Sequence, residues 1–146
     1  MASKNLIIGG FTNYGINQLK PWVKSISDLN IDCDKVLIVG KTTQETKDEL
    51  VKNNFILKDM IMFDLPVHIQ RWLTVYNFLH EHRNEYDNVV MTDLKDVYFQ
   101  DDPFKWMKKN LGDKKIVTGS ESLLYKDESW GNQNLLDTFR GIDSLY

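Results

Sequence analysis

Two acidic residues, Asp93 and Asp96, directly follow a short apolar run and are the residues of this chain most suited to chemistry. The run from Val89 to Met91 is typical of a buried strand, and open α/β sheets bind ligands where such strands end. Two carboxylates three positions apart repel each other unless a proton or a cation lies between them. A divalent ion that also binds phosphate would remove this repulsion. The spacing therefore predicts a cation and phosphate site at the mouth of a cleft.

The composition limits the class of protein. A chain of 146 residues can form one domain with a real core. A net charge of −3 offers no broad basic surface, so we expect no nucleic-acid partner. Cys33 is the only cysteine, which suits a reducing compartment. The chain has neither a signal-peptide pattern nor an apolar run of about 20 residues. These features predict a soluble cytoplasmic protein without a transmembrane segment.

Strand and helix patterns alternate along the chain. This order predicts an α/β fold with a mostly parallel sheet flanked by helices. The predicted strands are Asn5–Phe11, Lys35–Val39, Phe55–Phe63, Asn88–Thr92 and Lys115–Gly119. The predicted helices are Ile16–Leu29, Thr42 to about Asn53, a third that ends near Arg83, a short one between Asp102 and Gly112, and a last turn at Leu135–Phe139. We expect one domain over residues 1–146, truncated or naturally short after Phe139.

Four local patterns refine the predicted helices. Pro21 is expected to break the first helix early. Thr42 and Glu45 form a capping-box pattern at the start of the second helix. The third helix carries one apolar stripe at spacings of three and four, which predicts its buried face. The stripe consists of Leu65, Ile69, Trp72, Tyr76 and Leu79. Asp102 and Pro103 are typical of a helix start.

The residues around the acidic pair resemble the nucleotide-diphospho-sugar transferases of the GT-A fold. The segments that carry this resemblance are His68-Ile69-Gln70-Arg71-Trp72, the run from Val89 to Val97, Phe99-Gln100, and Asp102-Pro103-Phe104. Glu121 and the run from Trp130 to Leu135 fit the same pattern more loosely. The resemblance covers roughly residues 5–139, and it implies a GT-A-like sheet and a glycosyltransferase activity.

The resemblance implies that Asp93 and Asp96 are catalytic residues and ligands of Mn²⁺ or Mg²⁺. In such enzymes the metal holds the donor diphosphate and stabilises the charge that grows on the departing nucleotide. The motif here is acid-x-x-acid, whereas the family usually shows acid-x-acid. Either acid can therefore bind the metal while the other faces the sugar or the ribose. The alternative is that Asp93 or Asp96 only caps a turn and pairs with Lys95.

Arg71 matches an arginine of the family on the helix that precedes the acidic strand. The resemblance implies a catalytic and substrate-binding role in which Arg71 reaches the acidic pair or the donor sugar. A guanidinium suits bidentate contact with a carboxylate or a phosphate. Because Arg71 lies at the edge of the apolar stripe, partial burial would require an acid partner. The alternative is an ordinary solvated arginine.

The resemblance also implies that the loop after the first strand lines the nucleotide pocket. The substrate-binding residues would be Phe11, Thr12, Asn13 and Tyr14, together with Thr92 and Asp93. The base would stack on an aromatic ring and bond to Thr12, while Gly9 and Gly10 let the backbone come close. The alternative is a turn in which Phe11 and Tyr14 pack into the core.

Residues after the predicted fifth strand are candidates for the catalytic base. Glu121, Asp127 or Glu128 could deprotonate an acceptor hydroxyl. Family members often supply a late histidine as a further metal ligand, but no histidine follows Asp96 in this chain. Water or donor phosphates would then have to complete the metal shell.

The sequence therefore predicts transfer of a sugar from a UDP- or GDP-sugar to a glycan or another hydroxyl acceptor, with Mn²⁺ or Mg²⁺. One alternative is a non-catalytic nucleotide-sugar-binding domain or a fragment of a larger transferase. Another is an interaction domain whose acids only cap turns.

Overall fold

The computed structural model of the protein describes residues 4–62, 67–119, 124 and 127–138. The chain forms two compact units, Met1–Asn110 and Leu111–Tyr146. The first unit contains β1 (Asn5–Phe11), α1 (Ile16–Asp28), β2 (Asp34–Val39), α2 (Gln44–Lys52), β3 (Ile56–Asp59), α3 (Val67–Glu81), β4 (Asn88–Met91) and α4 (Pro103–Asn110). The second contains α5 (Ser129–Thr138). The predicted single domain stays a prediction.

The sheet of the first unit has four strands in the order β3-β2-β1-β4, and every neighbouring pair is parallel. The predicted α/β class with a parallel sheet is therefore confirmed. The chain builds outward from β1 through β2 to β3, and then crosses to the other side of β1 for β4. This order matches the first four strands of Rossmann-type sheets. In such sheets the reversal between β1 and β4 leaves a crevice at the carboxyl ends of these strands.

Both faces of β1 and β2 are buried, since successive strand residues point to opposite sides and nearly all residues of these two strands are buried. One side forms a cluster with residues of α1 and α2, and the other forms a cluster with residues of α3. The first cluster includes Ile7, Leu37, Leu19, Trp22, Ile26 and Leu50. The second includes Leu6, Ile8, Val36, Ile38, Val75 and Phe78. A sheet covered on both faces explains why β1 and β2 are almost continuously apolar.

The start of α2 differs from the predicted capping box. Thr43, not Thr42, caps the helix, and its Oγ1 accepts a hydrogen bond from Thr46 N at 3.2 Å. Thr42 instead donates its hydroxyl to the carbonyl oxygen of Tyr14 at 2.7 Å. The predicted pairing of Thr42 with Glu45 is therefore wrong, because the loop after β1 already uses the Thr42 side chain.

α1 is also not broken at Pro21, contrary to the prediction, and runs through it to Asp28. A proline removes one donor from the helix. The buried side chains of Leu19, Trp22 and Ile26 hold this helix on the sheet, and most helical stability in proteins comes from such packing. The predicted start of α4 is confirmed, since Asp102 Oδ1 accepts from Phe104 N at 2.9 Å.

Two predicted strands need correction. β3 ends at Asp59. Met60 N still donates to the carbonyl oxygen of Val39 at 2.8 Å, and the chain then turns to α3, where Ile61 N donates to Thr74 Oγ1 at 3.0 Å. Phe63, the predicted end of the strand, lies outside the described residues. The predicted strand Lys115–Gly119 is wrong: these residues adopt no strand, and Ile116 is 78% exposed. A β-rich run without a neighbouring strand gains no ladder of hydrogen bonds.

The apolar stripe predicted for α3 does not form its buried face. Ile69, Trp72 and Tyr76 are exposed. The buried face consists of Gln70, Thr74, Val75 and Phe78. Leu79 packs partly against the core, and Leu65 lies outside the described residues. The prediction was wrong because helical periodicity counts Thr74 as a polar surface residue. A threonine can be buried when its hydroxyl is hydrogen-bonded, and Thr74 Oγ1 donates to the carbonyl oxygen of Gln70.

In the second unit, the side chain of Glu128 caps the start of α5. Its Oε1 accepts from Trp130 N at 3.1 Å and its Oε2 accepts from Gly131 N at 2.6 Å. The helix contains the predicted last turn as far as Thr138, while Phe139 lies outside the described residues. No helix in the described part of the chain has both the length and the apolarity needed to cross a membrane.

Candidate functional site

A cleft of about 390 Å³ opens where β1 and β4 end. It lies at the reversal of strand order, where parallel sheets bind ligands. The residues that line it are Gly10, Phe11, Thr12, Tyr14, Val67, Arg71, Asp93, Leu94, Lys95 and Asp96. The cleft therefore joins three segments of the first unit: the end of β1, the start of α3 and the loop after β4.

The loop after β4, which carries Asp93 and Asp96, is anchored to α1 on both sides of these carboxylates. Thr92 Oγ1 accepts from Trp22 Nε1 at 2.9 Å. Phe99 N donates to Ser25 Oγ at 3.0 Å, and Trp22 and Ser25 both belong to α1. Between these anchors the side chain of Leu94 is buried in the core. A loop held in this way keeps its polar residues on the cleft side.

Arg71 and Asp93 form an ion pair across the cleft. Arg71 Nη1 donates to Asp93 Oδ1. The arginine side chain is only 19% exposed, whereas that of Asp93 is 62% exposed. The acid partner expected for a partly buried arginine is therefore present. Arg71 Nε is buried and has no hydrogen-bond partner among the described residues. The pair links α3 to the loop after β4 and orients the Asp93 carboxylate.

Gly10 makes room for Arg71. A Cβ at this position would lie 2.6 Å from Arg71 Cγ and 2.9 Å from Arg71 Cδ. Gly9 makes room for Leu94 in the same way, with a distance of 2.9 Å to Leu94 Cδ1. We expected these glycines to let a ligand approach the backbone. In the structure they let two side chains of the protein cross the end of β1.

Asp96 has a different environment from Asp93. It is exposed and lines the cleft, and it has no hydrogen bond or ion pair with a described residue. Neither acid accepts from a backbone N–H of the described chain, and neither pairs with Lys95 there. The alternative in which Asp93 or Asp96 caps a turn therefore has no support in these contacts. Among the described residues, nothing occupies the Asp96 carboxylate at the cleft.

The described residues of the cleft do not enclose a metal site by themselves. The described residues contain no group of three or more His, Cys, Asp or Glu side chains able to hold a metal. Mg²⁺ commonly binds one or two carboxylates and takes its other oxygens from substrate phosphates and water. Asp96 and Asp93 supply hard oxygen ligands of this kind. Such an ion would bind well only together with a phosphate ligand.

The loop after β1 is held by the loop after β2. Gly40 N donates to the carbonyl oxygen of Phe11 at 2.8 Å, and Asn13 N donates to that of Lys41 at 2.7 Å. Lys41 N in turn donates to Thr12 Oγ1 at 3.0 Å. Since Thr12 Oγ1 accepts this bond, its hydroxyl proton is left to bond another group.

The aromatic residues of this loop stack on each other. The rings of Phe11 and Tyr14 are nearly parallel, at 7°, with centroids 6.3 Å apart. Phe11 is buried in the core and the half-buried Tyr14 packs against the same cluster, as the alternative interpretation expected. A nucleobase that enters the cleft would therefore reach the half-buried Tyr14 more readily than the buried Phe11.

The structure brings together six of the predicted site residues: Phe11, Thr12, Tyr14, Arg71, Asp93 and Asp96. Two others do not line the cleft. Asn13 is exposed, with a φ of 60°, and Thr92 uses its hydroxyl to hold Trp22. Sequence reasoning missed Val67, Leu94 and Lys95 as lining residues. For Lys95 a signal existed, because it is the basic residue between the two acids.

The candidate bases belong to the second unit. Glu121 lies outside the described residues. Asp127 is exposed, and Glu128 uses its carboxylate at the start of α5. Deprotonation of an acceptor by Asp127 stays a prediction.

Comparisons of the chain with protein-family models, with curated proteins and with solved structures give no match. Function therefore has to be inferred from the cleft and from the motif around it.

Proposed function

We propose that this chain is a GT-A-like glycosyltransferase domain that binds a UDP- or GDP-sugar together with Mn²⁺ or Mg²⁺. The observation that carries the proposal is the meeting of Arg71, Asp93 and Asp96 in one cleft at the strand reversal. These residues come from two separate segments of the sequence. An arginine, two carboxylates and an open cleft together suit a ligand that has a diphosphate and a hydroxylated ring.

The contacts support different roles for the two acids. Asp96 is exposed and has no partner among the described residues, so we assign it to the metal ion. Asp93 is held by Arg71, and its second carboxylate oxygen is left to accept from a hydroxyl of the sugar or ribose. The half-buried Tyr14 offers a ring face to the base, and Thr12 offers its hydroxyl proton to the edge of the base.

Transfer forms a bond between the acceptor oxygen and the anomeric carbon of the sugar, and breaks the bond from that carbon to the diphosphate oxygen. The nucleoside diphosphate leaves with the electron pair, and the hydroxyl proton of the acceptor passes to a base. When bound, a divalent ion supplies positive charge for the departing diphosphate. Arg71 fixes the Asp93 carboxylate in place before substrate arrives, so little reorganisation is needed during the reaction.

One observation favours a second candidate, a nucleotide-sugar-binding domain without catalytic activity. The described lining of the cleft contains no carboxylate besides Asp93 and Asp96. If both act in binding, neither is left to deprotonate an acceptor. Release of UDP or GDP from a panel of sugar donors, measured with the full chain and Mn²⁺, separates the candidates. The transferase releases nucleotide faster than the uncatalysed control, and the binding domain does not.

Calorimetric titration of the full chain with UDP and with GDP tests binding at the cleft. We expect one of the two nucleotides to bind in Mn²⁺ and to bind much more weakly when a chelator is present. Asp96→Asn should weaken the metal-dependent binding by roughly tenfold or more, because it removes a charged oxygen ligand. Asp32→Asn is the matched control, since Asp32 is exposed and precedes β2 at the opposite end of the strand.

Three results would count against the proposal. The first is equal nucleotide binding with and without metal. The second is an Asp96→Asn variant that binds like the wild type. The third is an Asp96→Asn variant that loses its fold, as judged by circular dichroism, since that would assign the Asp96 side chain to the structure and not to a ligand.

A further inference from the structure

Lys95 lies between the two carboxylates of the cleft and has no role in the function proposed above. It lines the cleft and is exposed. No carboxylate of the described chain pairs with it, although Asp96 is its immediate neighbour in sequence. The cleft thus contains a second cation besides Arg71, and no anion of the described residues pairs with this one.

The buried Leu94 explains why Lys95 is available at the cleft. Leu94 fills space beside Gly9 and anchors the loop, so the residues on either side of it are left at the surface. Neighbouring Cα atoms lie about 3.8 Å apart, which keeps the base of Lys95 close to that of Asp96. A lysine ammonium on its long, flexible stem can bind a phosphate oxygen as a compact charge.

The charges of the cleft show what such a lysine can do. Among the described residues, four charged side chains line it: Arg71 and Lys95 are basic, and Asp93 and Asp96 are acidic. Their sum is zero, and Arg71 is already paired with Asp93. A divalent ion would add two positive charges to the cleft. Two linked phosphates that carry one negative charge each would cancel them. Asp96 and Lys95 would then be the two groups left to meet the ion and the phosphates.

We propose that Lys95 binds a phosphate oxygen of the diphosphate and so selects a ligand with two linked phosphates over one with a single phosphate. This inference rests on the proposed function, because it names a further residue for the same ligand. Lys95 has opposite effects on the two components of the site. It repels a divalent ion that binds alone, and it attracts the diphosphate that comes with the ion.

The variant Lys95→Gln tests both effects in the full chain. We expect it to bind Mn²⁺ alone more tightly than the wild type, because a neighbouring positive charge is removed. At saturating Mn²⁺ we expect it to bind UDP and GDP about tenfold more weakly, the usual size of a lost charge-assisted contact. UMP and GMP should change little, so the preference for the diphosphate falls. Lys95→Arg keeps the charge and should retain most of that preference.

Lys108→Gln is the control for the change in net charge. Lys108 is exposed on α4 and does not line the cleft, so its variant should match the wild type in every titration.

The outcomes are distinguishable from failure of the proposed function. If the wild type binds neither UDP nor GDP in Mn²⁺, both the proposed function and the role of Lys95 are wrong. If the wild type binds and Lys95→Gln retains its preference for the diphosphate, only the role of Lys95 is overturned. An equal loss of affinity for mono- and diphosphates would also overturn it, because the lysine would then act on the whole cleft and not on the second phosphate.

Discussion

Gly10 determines whether Arg71 can reach Asp93. A Cβ at Gly10 would lie 2.6 Å from Arg71 Cγ, an atom in the middle of the arginine side chain, so relief would require the whole side chain or the strand to move. We expect Gly10→Ala to lower the free energy of unfolding by about 1–3 kcal/mol, the usual cost of an overpacked site. Urea denaturation measures this change. Gly119→Ala is the control, since a Cβ there meets nothing within 4 Å.

A double-mutant cycle isolates the cause of that loss. In an Arg71→Ala background most of the penalty of Gly10→Ala should disappear, because the clashing side chain is gone. The same penalty with and without Arg71 would show that the clash lies elsewhere, for example with Ile38, whose Cβ is 3.3 Å from the added atom.

The residues of the site were only partly predictable. The spacing of Asp93 and Asp96 after an apolar strand indicated the cleft, and partial burial indicated an acid partner for Arg71. The role of Gly10 could not be predicted, because it depends on a side chain that lies 61 positions further along the chain and crosses the strand. The burial of Leu94 could not be predicted for a similar reason, since it depends on the space that Gly9 leaves.

At the scale of the elements, α3 turns the face that carries Trp72 and Tyr76 away from the sheet. Trp72 is 55% exposed, whereas Phe78 on the same helix is 6% exposed. We expect Phe78→Ala to lower the free energy of unfolding by about 3–5 kcal/mol, because it leaves a cavity against the sheet. Trp72→Ala should change it by only about 0.5 kcal/mol, as surface substitutions do. Thermal or urea unfolding of the two variants measures the difference, and a Trp72→Ala variant as unstable as Phe78→Ala would contradict the observed face.

The apolar strands were predictable, whereas the end of β3 and the buried face of α3 were not. β1, β2 and β4 are apolar runs inside a parallel sheet that helices cover, so their positions follow from composition. β3 ends early because Ile61 N bonds to Thr74, a contact between residues on two different elements. The face of α3 depends on the same threonine. Periodicity treats Thr74 as polar and cannot anticipate that its hydroxyl is satisfied inside the fold.

At the scale of the whole molecule, the first unit also has polar contacts at the end of the sheet opposite the cleft. The cleft lies at the carboxyl ends of the strands. At their amino ends Asp34 pairs with Lys4 Nζ at 2.7 Å and accepts from Tyr86 Oη at 2.8 Å. These contacts join the beginnings of β1 and β2 to the segment that leads into β4. Burial alone would raise the pKa of the Asp34 carboxyl, but the hydrogen bonds from Lys4 and Tyr86 outweigh it and hold this pKa below its ordinary value of 3.8.

The lowered pKa predicts how stability depends on pH. Below about pH 4 the unfolded chain binds a proton at Asp34 that the native protein does not, so the free energy of unfolding falls as the pH falls. We expect Asp34→Asn to be less stable than the wild type by about 1 kcal/mol near pH 7, since the contacts are partly exposed. The difference should persist down to the ordinary carboxyl pKa and shrink as the pH falls through the lower native pKa. Urea denaturation between pH 7 and the acid limit of folding, with exposed Asp32→Asn as the control, measures it. A difference that stays constant with pH would mean that Asp34 contributes through packing and not through its charge.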